Sequence, residues 1–296
     1  MSKRTSKIGL GTVQWGMSYG VSNSDGQVPP EEVELILAAA RSVGIRFVDT
    51  AALYGQAEIV LGENDLEGLH LITKTPSYSH TPITGQDASN LVSIFSRSLN
   101  RLHVSSVYGL LVHHVDNLLM PGGELLVEAL ESLRDSGLTQ LIGVSVYDSE
   151  QIISLLDRFK PDIIQIPLNV FDQRLIEDGT LAWLASLGVQ IHARSVFLQG
   201  LLLMKAEDLP DYFRQWETNI SAWRLACFEN NVQPQHAALA FVCDQPEIDC
   251  CLVGVQSANQ LTDLLGSIES SPVFEMSSFS VSNRALLNPS NWQLEQ

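Results

Sequence analysis

Three polar side chains that each follow an apolar run are the first candidates for chemistry in this sequence. They are a carboxylate (Asp49), an ammonium (Lys74) and an imidazole (His113). If the three runs are neighbouring parallel strands, which lie about 4.8 Å apart, these groups converge at one edge of the sheet. The arrangement predicts either a structural ion pair with a capping histidine or a site that moves a proton.

Lys74 is the less ordinary member of this set. The chain has only five lysines, and no other lies between Lys7 and Lys160. A cation that follows a buried strand needs an anionic partner, because burying an unpaired charge is costly. We therefore expect Lys74 to pair with Asp49.

Short apolar runs alternate with amphipathic stretches along most of the chain, which predicts alternating strands and helices. Three of the amphipathic stretches end in glycine (Gly44, Gly137 and Gly188), which is typical of helix C-termini. The eight predicted strands cover residues 8–12, 46–50, 70–74, 107–113, 140–146, 162–167, 189–195 and 249–255.

Apolar strands joined through helices form parallel sheets that are covered on both faces. Eight such units predict an α/β fold, a (β/α)8 TIM barrel, although the same pattern fits an open doubly wound sheet. No linker divides the chain, so we expect a single domain over residues 1–296. Its core covers about residues 7–266, and we expect residues 267–296 to form a C-terminal extension that packs on the barrel.

The composition narrows the range of partners. The chain has 296 residues, with 17 Lys+Arg and 34 Asp+Glu, and a formal net charge of −17. This strongly negative net charge disfavours binding to nucleic acid and to anionic membranes. The N-terminus lacks the apolar core of a signal peptide, and the four cysteines show neither metal-ligand spacing nor a disulfide pattern. We expect a soluble cytoplasmic protein, without bound metal, that acts on a small molecule.

The segment 49–55, D-T-A-A-L-Y-G, resembles the D-T-A-x-x-Y-G signature of the aldo-keto reductases, and its tyrosine is Tyr54. Lys74 and His113 match the family's other two signature positions. The sequences G-L-G-T at 9–12 and I-G-V-S at 142–145 are also similar to that family, as is Gln165. The resemblance runs from about residue 7 to residue 266.

This resemblance implies reversible hydride transfer between a nicotinamide cofactor and a carbonyl or alcohol. Tyr54 would exchange the proton, and Lys74 would lower the pKa of its phenol from an ordinary value of about 10. Asp49 would hold Lys74 charged, and His113 would donate a hydrogen bond to the substrate oxygen. The four side chains are therefore predicted to be the catalytic residues.

By the same resemblance, the dinucleotide lies across the barrel mouth. The first strand does not carry a Rossmann fingerprint, because Gly9 and Gly11 lack the third glycine. The residues that the resemblance assigns to the cofactor are Thr12, Ser145, Gln165, Arg194, Ser195, Phe197, Gln199, Gly200, Gln256 and Gln260.

Three positions depart from the family pattern. Arg194 stands where many relatives carry an aromatic residue that stacks on nicotinamide, and Val146 replaces a common asparagine. The segment 254–260 has no cation, although relatives use Lys or Arg there to bind the 2′-phosphate of NADP. Charge-assisted hydrogen bonds to that phosphate would be lost. We therefore expect NAD use, or use of both NAD and NADP.

The substrate pocket is predicted to include Trp15 and Tyr19, which follow the first strand, and His114, which adjoins His113. Successive side chains of a strand point to opposite faces, so we expect His113 rather than His114 to enter the reacting centre. The T-V-Q-W-G opening at 12–16 resembles aldo-keto reductases of bacterial polysaccharide and deoxysugar pathways. It implies a sugar-like carbonyl substrate.

Two other functions fit parts of this pattern. A Schiff-base lyase would use Lys74 as its nucleophile, which requires a lowered lysine pKa. A regulatory or scaffold barrel would bind the nucleotide without turnover. Covalent labelling of Lys74 by borohydride trapping would indicate the lyase, and nicotinamide turnover that depends on Tyr54 separates the reductase from the regulatory barrel.

Overall fold

The computed structural model describes residues 3–266, 268–269 and 274–293. Eight parallel strands follow one another around a closed barrel in chain order, and the first strand also pairs with the last. This closure confirms the predicted TIM barrel and excludes the open sheet. The strands are β1 (Ile8–Gly11), β2 (Phe47–Asp49), β3 (His70–Lys74), β4 (Val107–Val112), β5 (Thr139–Ser145), β6 (Ile163–Pro167), β7 (Gln190–Arg194) and β8 (Cys250–Val253).

Helices connect the strands and continue after β8. The α-helices are α1 (Val13–Gly16), α2 (Pro30–Ser42), α3 (Ala57–Gly62), α4 (Gly85–Arg101), α5 (Asp116–Leu119), α6 (Glu124–Asp135), α7 (Ser149–Leu156), α8 (Arg174–Glu177), α9 (Thr180–Ser186), α10 (Glu217–Glu229), α11 (Pro234–Cys243), α12 (Ala258–Gly266) and α13 (Arg284–Leu287). The 3-10 segments are Thr5–Lys7, Leu198–Leu203, Ala206–Asp208, Asp211–Trp216, Ser277–Phe279 and Pro289–Asn291.

Helix boundaries follow local sequence signals. The glycines after α2, α6 and α9 have φ angles of 80°, 73° and 72°, a left-handed conformation in which glycine has no Cβ to clash. At the start of α4, Thr84 and Asp87 form a reciprocal capping box. These ends return the chain to the next strand after a short turn.

Successive side chains of each strand point to opposite faces, and they belong to two separate apolar layers. Ile72 lies with Leu111 and Ile163 in a cluster inside the barrel. Its neighbour Leu71 belongs to the larger cluster between the strands and the helices. Lys74, two residues beyond Ile72, therefore points to the same side, at the mouth of the barrel.

The segments after β6 and after β7 build a second apolar cluster next to the barrel. Phe171, from the segment after β6, packs there with Trp223 of α10 and with Leu286 of α13. Val281 N donates to Phe171 O over 2.8 Å, so residues 274–293 are joined to the connections that follow the barrel strands. The division into a barrel core and a C-terminal extension stays a prediction.

In the part of the chain that the structure describes, no helix is both long enough and apolar enough to cross a membrane.

Candidate active site

The ends of β2 and β3 bring a carboxylate and an ammonium together. Lys74 Nζ donates to Asp49 Oδ2 over 2.6 Å and to Thr50 O over 3.0 Å. It also donates to Tyr54 Oη over 3.2 Å. The Lys74 side chain is buried, so its three protons are directed to fixed protein acceptors rather than to solvent.

Asp49 is held from a second side by β6. The amide of Gln165 donates a short hydrogen bond to Asp49 Oδ1, and both residues are buried. Each oxygen of the carboxylate therefore accepts a hydrogen bond, one from an ammonium and the other from an amide. This arrangement fixes the position of Lys74 relative to Tyr54.

Two opposing effects act on the pKa of Lys74. Burial alone would lower the lysine pKa, but the charge of Asp49 and the hydrogen bonds to Asp49 and Tyr54 raise it above its ordinary value. Lys74 is therefore a cation at neutral pH.

The pKa of the Tyr54 phenol is raised, because burial outweighs the lowering effect of Lys74. The sequence interpretation of a net lowering is therefore corrected. Lys74 does act in the expected direction, but the desolvation of the phenolate, together with the charge of Asp49, is the larger influence. The phenol is protonated at neutral pH and can act as a proton donor.

His113 lies beside Tyr54 at the end of β4. The two ring centroids are 5.6 Å apart in an edge-on arrangement. Burial, followed by the charge of Lys74, lowers the pKa of His113 to about 2, so the imidazole is neutral. Its Nδ1 atom is buried with no hydrogen-bond partner among the described residues. A neutral imidazole in this position can donate one N–H to an oxygen.

These groups line a cavity of about 580 Å³ at the barrel mouth. All four predicted catalytic residues and Tyr19 contribute to its wall. So do the ten residues predicted for the cofactor: Thr12, Ser145, Gln165, Arg194, Ser195, Phe197, Gln199, Gly200, Gln256 and Gln260. The structure thus brings together side chains from several strand ends that are far apart in sequence.

Two predicted pocket residues lie elsewhere and are corrected here. Trp15 is fully buried in the core cluster and does not line the cavity, although Val13 and Gln14 of the same helix α1 do. His114 is exposed next to His113, with the ring centroids 5.0 Å apart, and does not line the cavity.

The connection after β7 has an unusual backbone. Ser195, Leu198 and Gln199 have φ angles of 60°, 48° and 55°, which are uncommon for residues other than glycine. Gln199 O accepts a hydrogen bond from Val21 N over 2.9 Å. The loop after β1 therefore holds this connection across one side of the cavity.

The loop after β1 also contacts the loop after β8. Gln256 Nε2 donates to Asn23 Oδ1 over 2.8 Å. Gly200 approaches Ser22 so closely that a Cβ at position 200 would lie 1.8 Å from Ser22 Oγ. Residues of three strand-end loops thus meet at the rim of the cavity.

The cavity wall contains polar atoms that suit a nicotinamide dinucleotide. Gln165 Oε1 and Thr12 Oγ1 are buried without a hydrogen-bond partner in the described residues. A buried acceptor without a partner is unfavourable, and a ligand amide could satisfy it. Ser145 Oγ accepts a hydrogen bond from Arg194 Nε and keeps its own proton to donate. The residues present therefore fit the cofactor that the motifs imply.

Arg194 replaces the aromatic residue common in relatives, and its guanidinium is fixed by neighbouring groups. Its three nitrogens donate to Ser145 Oγ, Ser195 Oγ and Val146 O over 3.1, 3.3 and 2.9 Å. Its Cζ lies 4.4 Å from the centroid of the Tyr147 ring, a cation–π contact. Val146, the second departure, supplies a backbone carbonyl and not a side-chain contact.

Sequence reasoning missed several cavity residues. Tyr147 lies two residues beyond Ser145, outside the strand, where a periodic pattern gives no direction to the side chain. Asp263 could have been found, because it follows Gln260 by three residues on α12 and so shares its helix face. No group of three or more His, Cys, Asp or Glu within the described ranges is arranged to hold a metal ion.

Comparison with known proteins agrees with the motifs. The model of the aldo/keto reductase family matches residues 7–279. The chain belongs to this family, and the prediction made from its motifs is confirmed.

Individual relatives are distant. An aldo-keto reductase of Mycobacterium sp. (strain KMS) is 32% identical over 188 residues, which are 60% of this chain and 63% of the relative. The match therefore spans less than two thirds of that relative's length. L-galactose dehydrogenase of Arabidopsis thaliana is 24% identical over 282 residues, 90% of this chain and 85% of that protein.

Among solved structures, the holo form of an aldo-keto reductase from Bacillus halodurans superimposes with a TM-score of 0.72. It is 18% identical, and the match covers 92% of this chain and 90% of that one. At this identity the similarity shows a common fold.

Proposed function

We propose that this protein is an NAD(P)-dependent oxidoreductase that transfers a hydride between a nicotinamide cofactor and an aldehyde, ketone or aldose carbonyl, or the corresponding alcohol. The observation that carries the proposal is the position of Lys74, which contacts both the Asp49 carboxylate and the Tyr54 hydroxyl on the wall of one cavity. This is the arrangement required to pass a proton between a phenol and a carbonyl oxygen.

The chain's own residues account for the proton in this reaction. The bound cofactor supplies or accepts the hydride. Tyr54 gives its proton to the carbonyl oxygen during reduction, and Lys74 stabilises the phenolate that remains. His113, neutral and beside Tyr54, donates a hydrogen bond to the same oxygen and stabilises the charge that develops there.

The alternative functions have less support. A Schiff-base lyase needs an uncharged amine, whereas the pKa of Lys74 is raised and its protons are bound by three acceptors. A barrel that binds nucleotide without turnover does not require a lysine that contacts both a buried carboxylate and a phenol.

The cavity and one relative support the proposed substrate class. The L-galactose dehydrogenase of Arabidopsis is named for a sugar substrate. In this chain, Tyr19 lines the cavity with 39% of its surface exposed, and its phenol can donate a hydrogen bond. An aromatic ring with a hydroxyl is suited to cover a polyhydroxylated carbonyl compound. A sugar-like aldehyde or aldose is the proposed substrate.

The cofactor preference is proposed to be NAD, or both NAD and NADP. The segment 254–260 contributes Gln256 and Gln260 to the cavity but no cation, and Asp263 lies in the same wall. A carboxylate near a 2′-phosphate is repulsive, whereas it tolerates a ribose hydroxyl. Gln256→Arg should raise kcat/KM with NADPH at least about tenfold relative to NADH. A wild-type preference for NADPH of a hundredfold would contradict this proposal.

The four cysteines are buried and unbonded, including Cys243 and Cys251, whose sulfur atoms are 3.3 Å apart. Two thiols at so short a distance stay reduced in a reducing compartment. The cytoplasm is therefore the proposed location.

A spectrophotometric assay tests the activity. NADH and NADPH absorbance is followed with a panel of aldehydes, ketones and aldoses, for the wild type and for Tyr54→Phe. We expect turnover of at least one carbonyl by the wild type and its loss in Tyr54→Phe. Covalent labelling of Lys74 by a carbonyl substrate and borohydride, without nicotinamide oxidation, would support the lyase instead.

A further inference from the structure

Glu58 is a buried carboxylate that lies outside the cavity wall, beside the strand that carries Lys74. Its Oε1 atom accepts a hydrogen bond from Thr73 Oγ1 over 2.6 Å. Its Oε2 atom accepts from Arg101 Nε over 2.8 Å and from Arg101 Nη2 over 2.5 Å. Both oxygens are therefore bound by side chains of other elements, one on β3 and the other at the end of α4.

The bond to Thr73 reaches β3 from outside the barrel. Ile72 and Lys74 point into the barrel, so Thr73 between them points to the helices, where its side chain is fully buried. Glu58 lies on α3, and in the described part of the chain its bond to Thr73 is the only side-chain hydrogen bond between α3 and β3. This bond therefore fixes α3 at the residue next to Lys74.

The helix α3 also continues the turn that carries Tyr54. It begins at Ala57, whose N–H donates to Tyr54 O over 3.0 Å, and Glu58 follows directly. The chain thus leads from Tyr54 through one turn to Glu58, which binds Thr73. From Thr73 it leads directly to Lys74, which returns to Tyr54 through the hydrogen bond of 3.2 Å. The contact between Tyr54 and Lys74 closes a path whose other hydrogen bond lies on the opposite side of the strand.

A buried carboxylate is a costly way to pack a helix on a strand. Burial removes the charge from water, and an apolar pair of similar volume commonly packs at least as well. What the carboxylate adds is direction, because a hydrogen bond of 2.6 Å restricts the position of α3 relative to β3 more narrowly than an apolar contact does. Arg101, whose side chain is 29% exposed, balances the charge from the solvent side.

We infer that Glu58 is a positioning residue of the reaction, which sets the distance between the Tyr54 hydroxyl and the Lys74 ammonium. This inference rests on the proposed oxidoreductase function. Glu58 does not line the cavity, so its loss should slow the proton transfer and leave the binding of cofactor and substrate unchanged. Displacing a reacting group by about 1 Å can lower a rate by about 10²-fold.

The first test uses Thr73→Val, which keeps the shape of the side chain and removes the hydroxyl that Glu58 binds. Stopped-flow absorbance measures the single-turnover rate of cofactor oxidation, with enzyme in excess and with the carbonyl compound of the panel that the wild type reduces fastest. We expect Thr73→Val to lower this rate at least about tenfold and to change the Kd for the cofactor less than about twofold. Thr73→Ser, which keeps the hydroxyl but loses a methyl group, should stay within about threefold of the wild-type rate.

Glu58→Leu combined with Thr73→Val separates positioning from stability. An apolar pair leaves no buried polar atom of these two side chains without a partner, and the Arg101 side chain already reaches solvent. The urea midpoint of the double variant should therefore equal or exceed that of Thr73→Val. Its single-turnover rate should nevertheless remain at least about tenfold below that of the wild type.

The matched control is Thr139→Val. Thr139 is also a buried threonine on a strand, and its hydroxyl donates to Leu141 O over 2.8 Å outside the cavity wall. This variant loses one buried hydrogen bond, as Thr73→Val does, but it should keep the wild-type rate.

The outcomes separate this inference from the function on which it rests. If the wild type reduces no carbonyl compound with either cofactor, the proposed function itself fails. If carbonyl compounds are reduced but Thr73→Val keeps the wild-type rate, or if the double variant recovers the rate together with its stability, Glu58 is only structural and the inference alone is wrong. Should the double variant not fold, the comparison of Thr73→Val with Thr73→Ser decides.

A crystal structure of Thr73→Val tests the geometry without any assay of turnover. Tyr54 Oη and Lys74 Nζ should lie farther apart than about 3.5 Å, beyond the range of a hydrogen bond. A distance that stays at the 3.2 Å of the wild type would overturn the inference.

Discussion

The Lys74 ammonium donates a hydrogen bond to the Tyr54 hydroxyl over 3.2 Å, although the two residues are 20 positions apart in the chain. Lys74 ends a strand, whereas Tyr54 lies on the turn after the preceding strand. The contact depends on Asp49, which anchors the ammonium from the other side over 2.6 Å. We therefore expect the buried Asp49–Lys74 ion pair to control proton exchange at Tyr54.

Replacing Tyr54 by Phe removes the proposed proton donor and keeps the ring. We expect kcat/KM for carbonyl reduction to fall by about 10²–10⁴, the usual contribution of a positioned acid or base. The Kd for NADH, measured by fluorescence titration, should change little. Tyr108→Phe is a matched control, because its hydroxyl donates to Gln190 and lies outside the cavity wall. Equal turnover in Tyr54→Phe and Tyr108→Phe would refute the role of Tyr54.

Replacing Lys74 by Met should destabilise the protein strongly. The buried Asp49 carboxylate would lose its counter-charge, which costs about 3–5 kcal/mol of unfolding free energy. Lys74→Met combined with Asp49→Asn should lose less, because no uncompensated charge remains. Arg214→Met breaks an exposed pair with Asp211 and should cost at most about 1 kcal/mol. Urea unfolding of the wild type and the three variants measures these differences in unfolding free energy. An equal loss in Lys74→Met and in the double variant would show that the unpaired Asp49 charge is not the cause.

Buried histidine makes stability depend on pH. His192 is fully buried, and burial, followed by the charge of Lys74, lowers its pKa to about 3. Between that value and the ordinary pKa of about 6.5, the unfolded chain binds a proton that the folded protein does not. The stability associated with neutral His192 is therefore present above about pH 6.5 and is lost as the pH falls.

His192→Leu removes this dependence. Between pH 6 and pH 4, the unfolding free energy of the variant should fall less steeply than that of the wild type, by about 1.4 kcal/mol per pH unit. Carboxylates contribute equally to both proteins, so the difference isolates the histidine. Parallel curves of unfolding free energy against pH, obtained from urea titrations, would show that His192 is protonated in the folded state.

Gly200→Ala should weaken cofactor binding. The added Cβ would lie 1.8 Å from Ser22 Oγ, and the φ angle of 90° is unfavourable for alanine, so the contact between the loops after β7 and β1 must open. We expect the Kd for NADH to rise at least about tenfold, the equivalent of about 1.4 kcal/mol.

The matched control for this variant is Gly179→Ala. Gly179 also has a positive φ, of 78°, but a Cβ there meets nothing within 4 Å, and the residue lies outside the cavity wall. In Gly179→Ala, alanine should be placed in a similarly unfavourable backbone conformation, but the Kd for NADH should not change. Equal cofactor affinity in the two variants would show that the closeness of the two loops does not matter for binding.

Much of the fold could be predicted because the periodic pattern of apolar residues depends only on residues that are near each other in the chain. Alternating apolar runs and glycine stops such as Gly44 reflect the backbone preferences of a few residues, and eight repeats of one unit suggested a barrel. The closure between β1 and β8 could not be predicted in this way, because strand pairing over more than 240 positions leaves no periodic trace.

The amino-acid sequence alone determined the four candidate catalytic residues, since Asp49, Lys74 and His113 end apolar runs and Tyr54 completes a family motif. The tertiary structure decided how these groups behave. It buried Trp15 in the core, and it left His114 at the surface. It also reversed the expected pKa shift of Tyr54, because desolvation depends on every atom packed around the phenol and not on the lysine beside it.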